Sequence, residues 1–187
     1  MRANGFALLV TGTGGELQAS HLPAVVAERG ESVVVELHMA KSNPQWREFF
    51  DDDVLVVFSG PHAFVSARWY EQSERVPTWN YAAVHAYGRV RMIEDRAERM
   101  AAQARLVETY DPEWSAGFRQ LSPEYLRGML EGIVNFEVSV TRLETRWKLS
   151  QNKGRSEQQR IAAELDRSAQ DSARELAALT RRHLVPE

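Results

Sequence analysis

The chain has 187 residues, a formal net charge of −3, 43% hydrophobic and 26% charged residues, and no cysteine. That length supplies one good core rather than two generous ones, and the lack of cysteine excludes disulfides, zinc–thiolate sites, iron–sulfur clusters and thiol nucleophiles. The slightly acidic balance gives no general attraction to nucleic acid or to an anionic membrane.

The first half reads as short strands: "FALLVT" (6–11), "ELQASHLPAVVAE" (16–28), "SVVVELHMA" (32–40), "VLVVFSG" (54–60), "HAFVS" (62–66) and "NYAAVHAYGRVRMI" (80–93). "GTGG" (12–15) and "ERGE" (28–31) separate the first three as tight turns of the kind that join antiparallel neighbours. Asn43 and Pro44 predict a capped short helix between two strands. In "RVPTWNYAAVHAYGRV" (75–90), an extended backbone puts Trp79, Tyr81, Ala83, His85, Tyr87 and Arg89 on one face and Asn80, Ala82, Val84, Ala86, Gly88 and Val90 on the other. The second face is small enough for close packing; the first suits a subunit interface, the wall of a planar-ligand pocket, or an ordinary half-exposed sheet surface.

From residue 94 the pattern turns helical. Asp95 and Glu98 form a capping-box spacing ahead of Met100, Ala104 and Val107 on one face. Ser122 and Pro123 open a second helix that aligns Leu126, Met129, Leu130 and Ile133. "NFEVSVTRLE" (135–144) returns to strand, with Phe136, Val138 and Val140 alternating against Glu137, Ser139 and Thr141. Residues 155–187 carry six Arg and six acidic residues and a thin apolar stripe of Ile161, Leu165, Leu176 and Leu179, which predicts a solvated helix. The sum is a mainly β chain with helices (α+β): a barrel domain over 1–152 with inserted helices at about 95–134, and a C-terminal helical extension over 153–187. The apolar runs are too short to span a membrane and no signal-peptide pattern opens the chain, so a cytoplasmic location is expected.

No GxSxG, HExxH, GxxxxGK[ST] or GxGxxG motif is present. Four stretches carry chemistry. "HMAKSNPQW" (38–46), opening on His38, puts Lys41 and Ser42 between a strand and a helix start, either as a phosphate site or as the approach to an Asn-Pro cap. His62, after a Gly-Pro turn, is a cofactor contact, a metal or haem ligand, or a histidine satisfied by backbone; His21 and His85 pose the same choice. "TRWKLSQN" (145–152) clusters Lys148, Ser150, Gln151 and Asn152 behind Trp147, for a phosphate, a heterocycle edge or a helix entry.

Taken together, "SHLP", "AKSNPQW", "LVVFSGPHAFVS", "VPTWNYAAVHAYG" and "RWKLSQN" resemble the PaiB-like proteins, known as FMN-binding negative transcriptional regulators. The resemblance spans residues 6–152 and implies a split β-barrel that forms a homodimer with FMN at the subunit interface. It implies Ser20, His21 and Leu22 beside the flavin, with Lys41 and Ser42 near its phosphate. Trp79, Asn80 and Tyr81 would lie at the dimer seam, and the Trp147–Asn152 block would reach the cofactor of the other chain; His38 is counted among the cofactor contacts. The sequence opens almost on its first strand, and "EQSER" (71–75) is shorter than the family's usual loop. A related branch, the haem-dependent piperazate synthases, implies an alternative: haem b with His62 as axial ligand, forming an N–N bond in N-hydroxyornithine. A small-molecule substrate is expected in either case, no residue stands out as acid or base, and the absence of a basic patch or helix-turn-helix leaves any regulatory role indirect.

Overall fold

A computed structural model describes residues 1–13, 15–49, 53–71 and 74–186. Gly14 of the "GTGG" turn and Gln72 and Ser73 of "EQSER" lie outside the described residues. Six strands, β1 (Phe6–Thr13), β2 (Glu16–Arg29), β3 (Ser32–Ala40), β4 (Val54–Val65), β5 (Thr78–Ile93) and β6 (Ile133–Lys148), close into a barrel in the order β1-β2-β3-β6-β5-β4. Among the described residues five α-helices accompany them: α1 (Arg96–Tyr110), α2 (Ser115–Gln120), α3 (Pro123–Glu131), α4 (Arg155–Asp166) and α5 (Asp171–Arg182). The expected α+β class is the observed one.

Local signals explain most boundaries. β2 and β3 are joined by two residues, with Arg29 opposite Ser32 and Gly30 at φ +63°, a left-handed value that suits glycine. The Asp95 side chain accepts the Glu98 N–H at 2.8 Å and that of Ser122 accepts the Tyr125 N–H at 3.2 Å, so both predicted caps form. "VLVVFSG" and "HAFVS", read as two segments, form one strand through Gly60-Pro61. The β1–β4 register covers only residues 55–57 of β4, so the missing N–H of Pro61 interrupts no bond to β1.

The chain divides into two compact units, Met1–Phe58 with His85–Leu143, and Ser59–Val84 with Glu144–Glu187. The first encloses Leu9, Val35, Val56, Phe58, Ala86, Phe136 and Val138, all essentially fully buried. Burial then departs from simple alternation. Glu36 and Glu137, cross-strand partners on β3 and β6, are each only 4% exposed. Two facing carboxylates repel each other, and three arginines neutralise them. Arg105 of α1 grips Glu36 with both Nε (2.8 Å) and Nη2 (2.9 Å). Arg29 bridges Glu36 and Glu137 at 2.7 and 2.8 Å, and Arg91 Nε reaches Glu137 at 2.7 Å. The alternating pattern of β6 assigns Glu137 to solvent; the arginines and α1 cover it instead. In the same unit the Tyr110 hydroxyl donates to Ala24 O at 2.7 Å and fills the space beside Gly5, where a Cβ would lie 1.8 Å from that oxygen.

The second unit has its own core. Ala63, Val65, Tyr70 and Leu149 pack with Ile161, Ala162 and Leu165 of α4 and Ala173, Leu176 and Ala177 of α5. The tail read as one solvated helix is a pair of helices whose thin apolar stripe is widened by alanines, which admit close approach without exposing polar surface. No helix among the described residues is long and apolar enough to cross a membrane.

The small face of β5 is used for close backbone approach: a Cβ at Gly88 would lie 2.1 Å from Ser139 O of β6. Gly88→Ala is therefore expected to lose more than about 2 kcal/mol of unfolding free energy, measured by denaturant titration.

Candidate functional site

In the first unit, the segment after β3 is organised as a cap. The Asn43 side chain accepts the Gln45 N–H at 3.0 Å and donates to Ser20 Oγ at 2.9 Å. Gln45 is buried and donates to Thr11 Oγ1 at 3.1 Å, pinning the 44–48 turn onto the β1–β2 hairpin. Lys41 and Ser42 are exposed at this corner, and the Lys41 backbone is held on both sides, its N–H by Gly132 O and its O by Trp46 Nε1. His21 is exposed and stacks on Phe6 at 5.6 Å, whereas Leu22 is buried. Ser20, Lys41 and Ser42 therefore belong to one corner built by Asn43. His38 is elsewhere: it lines a cavity with α1, α2 and α3. Burial lowers its pKa from the ordinary histidine value, favouring the neutral ring.

In the second unit the predicted residues fall into two clusters. The first is the turn after β6. A cleft of about 930 Å³ is lined by Tyr70, Arg75, Lys148, Ser150, Asn152 and Lys153, among others. Its key residue is Ser150, a non-glycine residue at φ +59°. This left-handed conformation is costly for an L-residue and is held by bonds on each side. Asn80, fully buried, donates from Nδ2 to Ser150 Oγ at 2.9 Å. The Leu149 N–H donates to Gln151 Oε1 at 2.7 Å, Gln151 Nε2 donates to Trp147 O at 2.6 Å, and Gln158 Nε2 donates to Leu149 O at 3.0 Å. Asn80 and Gln151 thus shape the turn, while Lys148, which bonds Thr78 Oγ1, and exposed Asn152 offer groups to the cleft. Lys153 lies over the Tyr70 ring at 5.0 Å.

The second cluster is aromatic. Trp79, 54% exposed, meets the His62 ring at 6.3 Å and the Phe64 ring edge-on at 6.1 Å. Tyr81 is exposed beside it on the same face of β5, and Trp147 is exposed and packs on His183. His62 Nδ1 lies 3.1 Å from Gly60 O. A carbonyl accepts only, so Nδ1 is the donor in this contact, which leaves Nε2 as the outward nitrogen. The His62 backbone is fixed by one hydroxyl: Ser172 Oγ accepts from His62 N–H and donates to His62 O, both at 2.8 Å.

A family model described as "Putative FMN-binding domain" matches residues 1–142. The chain belongs to this family. Within the FMN-binding-domain family it is similar to "Protease synthase and sporulation protein PAI 2" of Bacillus subtilis, 36% identical over 185 residues, covering 96% of this chain and 87% of that protein. The PaiB-like resemblance read from five short blocks is therefore borne out, and the alignment with PAI 2 is long enough to reach the turn after β6. An uncharacterized protein of Emericella nidulans is 26% identical, covering 88% of this chain and 81% of its own length. Among solved structures, the flavocytochrome Anf3 of Azotobacter vinelandii matches with a TM-score of 0.60 at 18% identity, covering 79% of this chain. This chain spans 63% of that one. An FAD and heme binding protein of Mycobacterium smegmatis matches with a TM-score of 0.59 at 17% identity, covering 79% of this chain and 67% of the other. These neighbours place the barrel among the split-barrel folds, and this family member is a cofactor-binding split-barrel protein.

Sequence reasoning did not find Gln158, Ser172 or Lys153. The first two act through backbone groups far away in sequence, and the only local signal for the third was the polar run "SQNK". Asn80→Ala strands a buried hydroxyl and removes the brace on a strained residue, with an expected loss of about 2 kcal/mol. Ser150→Gly removes the other half of the same bond but also the cost of φ > 0, which glycine adopts freely, so it is expected to lose less; equilibrium unfolding of the two variants gives the comparison.

Proposed function

We propose that the protein is a homodimeric flavoprotein that binds FMN and uses it on a small-molecule substrate. The observation that carries this reading is the cleft of about 930 Å³ beside Ser150, edged by Lys148, Lys153 and Arg75. A flavin mononucleotide brings a phosphate dianion that needs cations and a planar ring system that needs aromatic or apolar walls and a few hydrogen-bonding tips. The donor set fits: Lys148, Lys153 and Arg75 outnumber the Glu74 carboxylate that also lines the cleft; Asn152 and Gln151 supply amides, and Tyr70 and Val76 supply wall. Lys41 and Ser42, with Ser20 on the same Asn43-built corner and His21 following it in β2, would serve the phosphate side from the other copy. Exposed Phe64, Trp79, Tyr81 and Trp147 are the apolar surface a partner subunit would cover. When bound, the flavin supplies one- or two-electron transfer; the protein's part is to hold it, neutralise its phosphate and exclude water. A regulatory role, suggested by the sporulation-protein name of the Bacillus subtilis relative, would follow indirectly from that chemistry.

A second reading rests on one observation, the orientation of His62. A neutral imidazole whose Nδ1–H is tied to a backbone carbonyl and whose Nε2 is free has the form of a haem-iron ligand. His62 would be that ligand with haem b in place of FMN, and the activity would be the piperazate-synthase type of N–N bond formation.

Absorbance spectroscopy combined with size-exclusion chromatography tests both. With FMN added, the expected result is a yellow species at dimer mass with one flavin per chain, and Lys148→Ala weakens FMN binding about tenfold. A colourless monomer that takes up no flavin overturns the proposal. A haem Soret band that disappears in His62→Ala moves the assignment to the second reading.

A further inference from the structure

The first unit contains a cavity that the flavin reading leaves unused. It measures about 330 Å³, the lower end of the range of small-molecule pockets, about 300–1,000 Å³. Its walls are Met100 and Val107 of α1, Phe118 of α2, and Leu126 and Met129 of α3, and its floor is His38 of β3. The apolar faces of α1 and α3 thus border an open groove, along which Trp114, Tyr125 and Met129 are 45%, 55% and 54% exposed. Trp114 stands at the wall, packed on Phe118 at 6.0 Å and so close to Gly117 that a Cβ there would lie 2.8 Å from the indole nitrogen.

The lining selects a chemical class. Among the described residues no Asp, Glu, Lys or Arg lines the cavity, so a charged ligand would lose hydration without a counter-charge. The polar groups deep in it are the His38 ring, which has no hydrogen-bond partner among the described residues, and the Gln103 amide. Beside it lies a second cavity of about 10 Å³, whose polar lining is Glu36, His38, Gln103 and Asn135, room for a single water. Asn135 is cross-strand from His38, and its Nδ2 is buried without an acceptor. A water there would accept from Asn135 Nδ2. In the neutral ring one imidazole nitrogen carries a hydrogen and is a donor for the larger cavity. The ring is kept neutral by its burial, consistent with such a tautomer.

We propose that this cavity binds a small neutral aromatic molecule, one or two rings in size, whose single hydrogen-bond acceptor, such as a carbonyl, takes a hydrogen bond from His38. The two methionines allow the wall to adapt to the ring. The pocket is formed entirely by the first unit and makes no use of the residues assigned to FMN other than His38, which leaves the flavin set.

The test uses the full chain and prodan, an uncharged naphthalene ketone whose emission shifts to the blue in apolar surroundings. Expected are a saturable blue shift with one site per chain, persistence of that site in the presence of saturating FMN, and weaker binding by about fivefold to tenfold in His38→Phe, the value of one hydrogen bond. Leu126→Trp, which fills the cavity, removes the site, and Met100→Trp does the same from the opposite wall should the first variant fold poorly. Naphthalene, lacking the ketone, competes at least fivefold less well. The proposal is overturned if prodan does not saturate, if FMN displaces it mole for mole, or if folded Leu126→Trp and Met100→Trp both bind it as the parent does. It is equally overturned if no probe binds and substitution of Met129 by Asp changes the oligomeric state, which makes this face a protein contact.

Discussion

Two facing carboxylates govern the first unit. Glu36 and Glu137 sit opposite each other on adjacent strands, nearly out of solvent, where a carboxylate needs a paired cation. Arg29, Arg91 and Arg105 come from three different elements to neutralise them. The arrangement fixes where α1 lies against β3, because Arg105 can grip Glu36 with two nitrogens in only one registry. His38 is two residues along the same strand face, so a helix docked on Glu36 necessarily covers His38 as well. Arg99, one and a half turns before Arg105 on α1, bonds the carbonyls of Leu130 and Ile133 and so ties the end of α3 to the start of β6. The space over His38 is thus framed in part by charge neutralisation: Arg99 and Arg105 help to position the helices, together with the buried Ala102 and Leu130 and with Tyr110 on β2.

The second unit relies on a different device. Its turn after β6 holds a serine in a left-handed conformation, and the brace comes from Asn80, seventy positions earlier in the chain. Gln158 extends the same logic, with its Nε2 on Leu149 O and its Oε1 accepting the Val185 N–H at 2.9 Å. A buried amide that satisfies two distant backbone groups leaves little freedom to the segment between them. The polar ends of Lys148 and Asn152 are presented by a rigid turn, as a site for a cofactor requires.

Much of this architecture was legible in the sequence. Alternation predicted both faces of β5, and the structure buries Asn80, Ala86 and Gly88 while exposing Trp79, Tyr81 and Arg89. Caps at Asp95 and Ser122 and the turn at Gly30 were readable because their signals are local. The unreadable features share a cause: each depends on a partner remote in sequence. Glu137 reads as solvent-facing until Arg29 and Arg91 are placed beside it, and the α4–α5 stripe reads as solvated until Leu149 and Tyr70 supply the other half of its core. The five motif blocks carried the family assignment, but not the division of labour within it. Asn80, which the resemblance puts at the dimer seam, and Gln151, which lines the cleft, also hold the turn, through bonds to Ser150 and to backbone that residue type alone does not reveal.

The tyrosine at the end of α1 adds a constraint of a different kind. Its hydroxyl occupies the volume that any side chain at position 5 would need. The two positions share a single space, so each sets the largest residue the other can accept. Drift at one of them is possible only in step with the other, and a chain that acquired a bulkier residue 5 would first have to give up the aromatic ring that anchors its helix to β2.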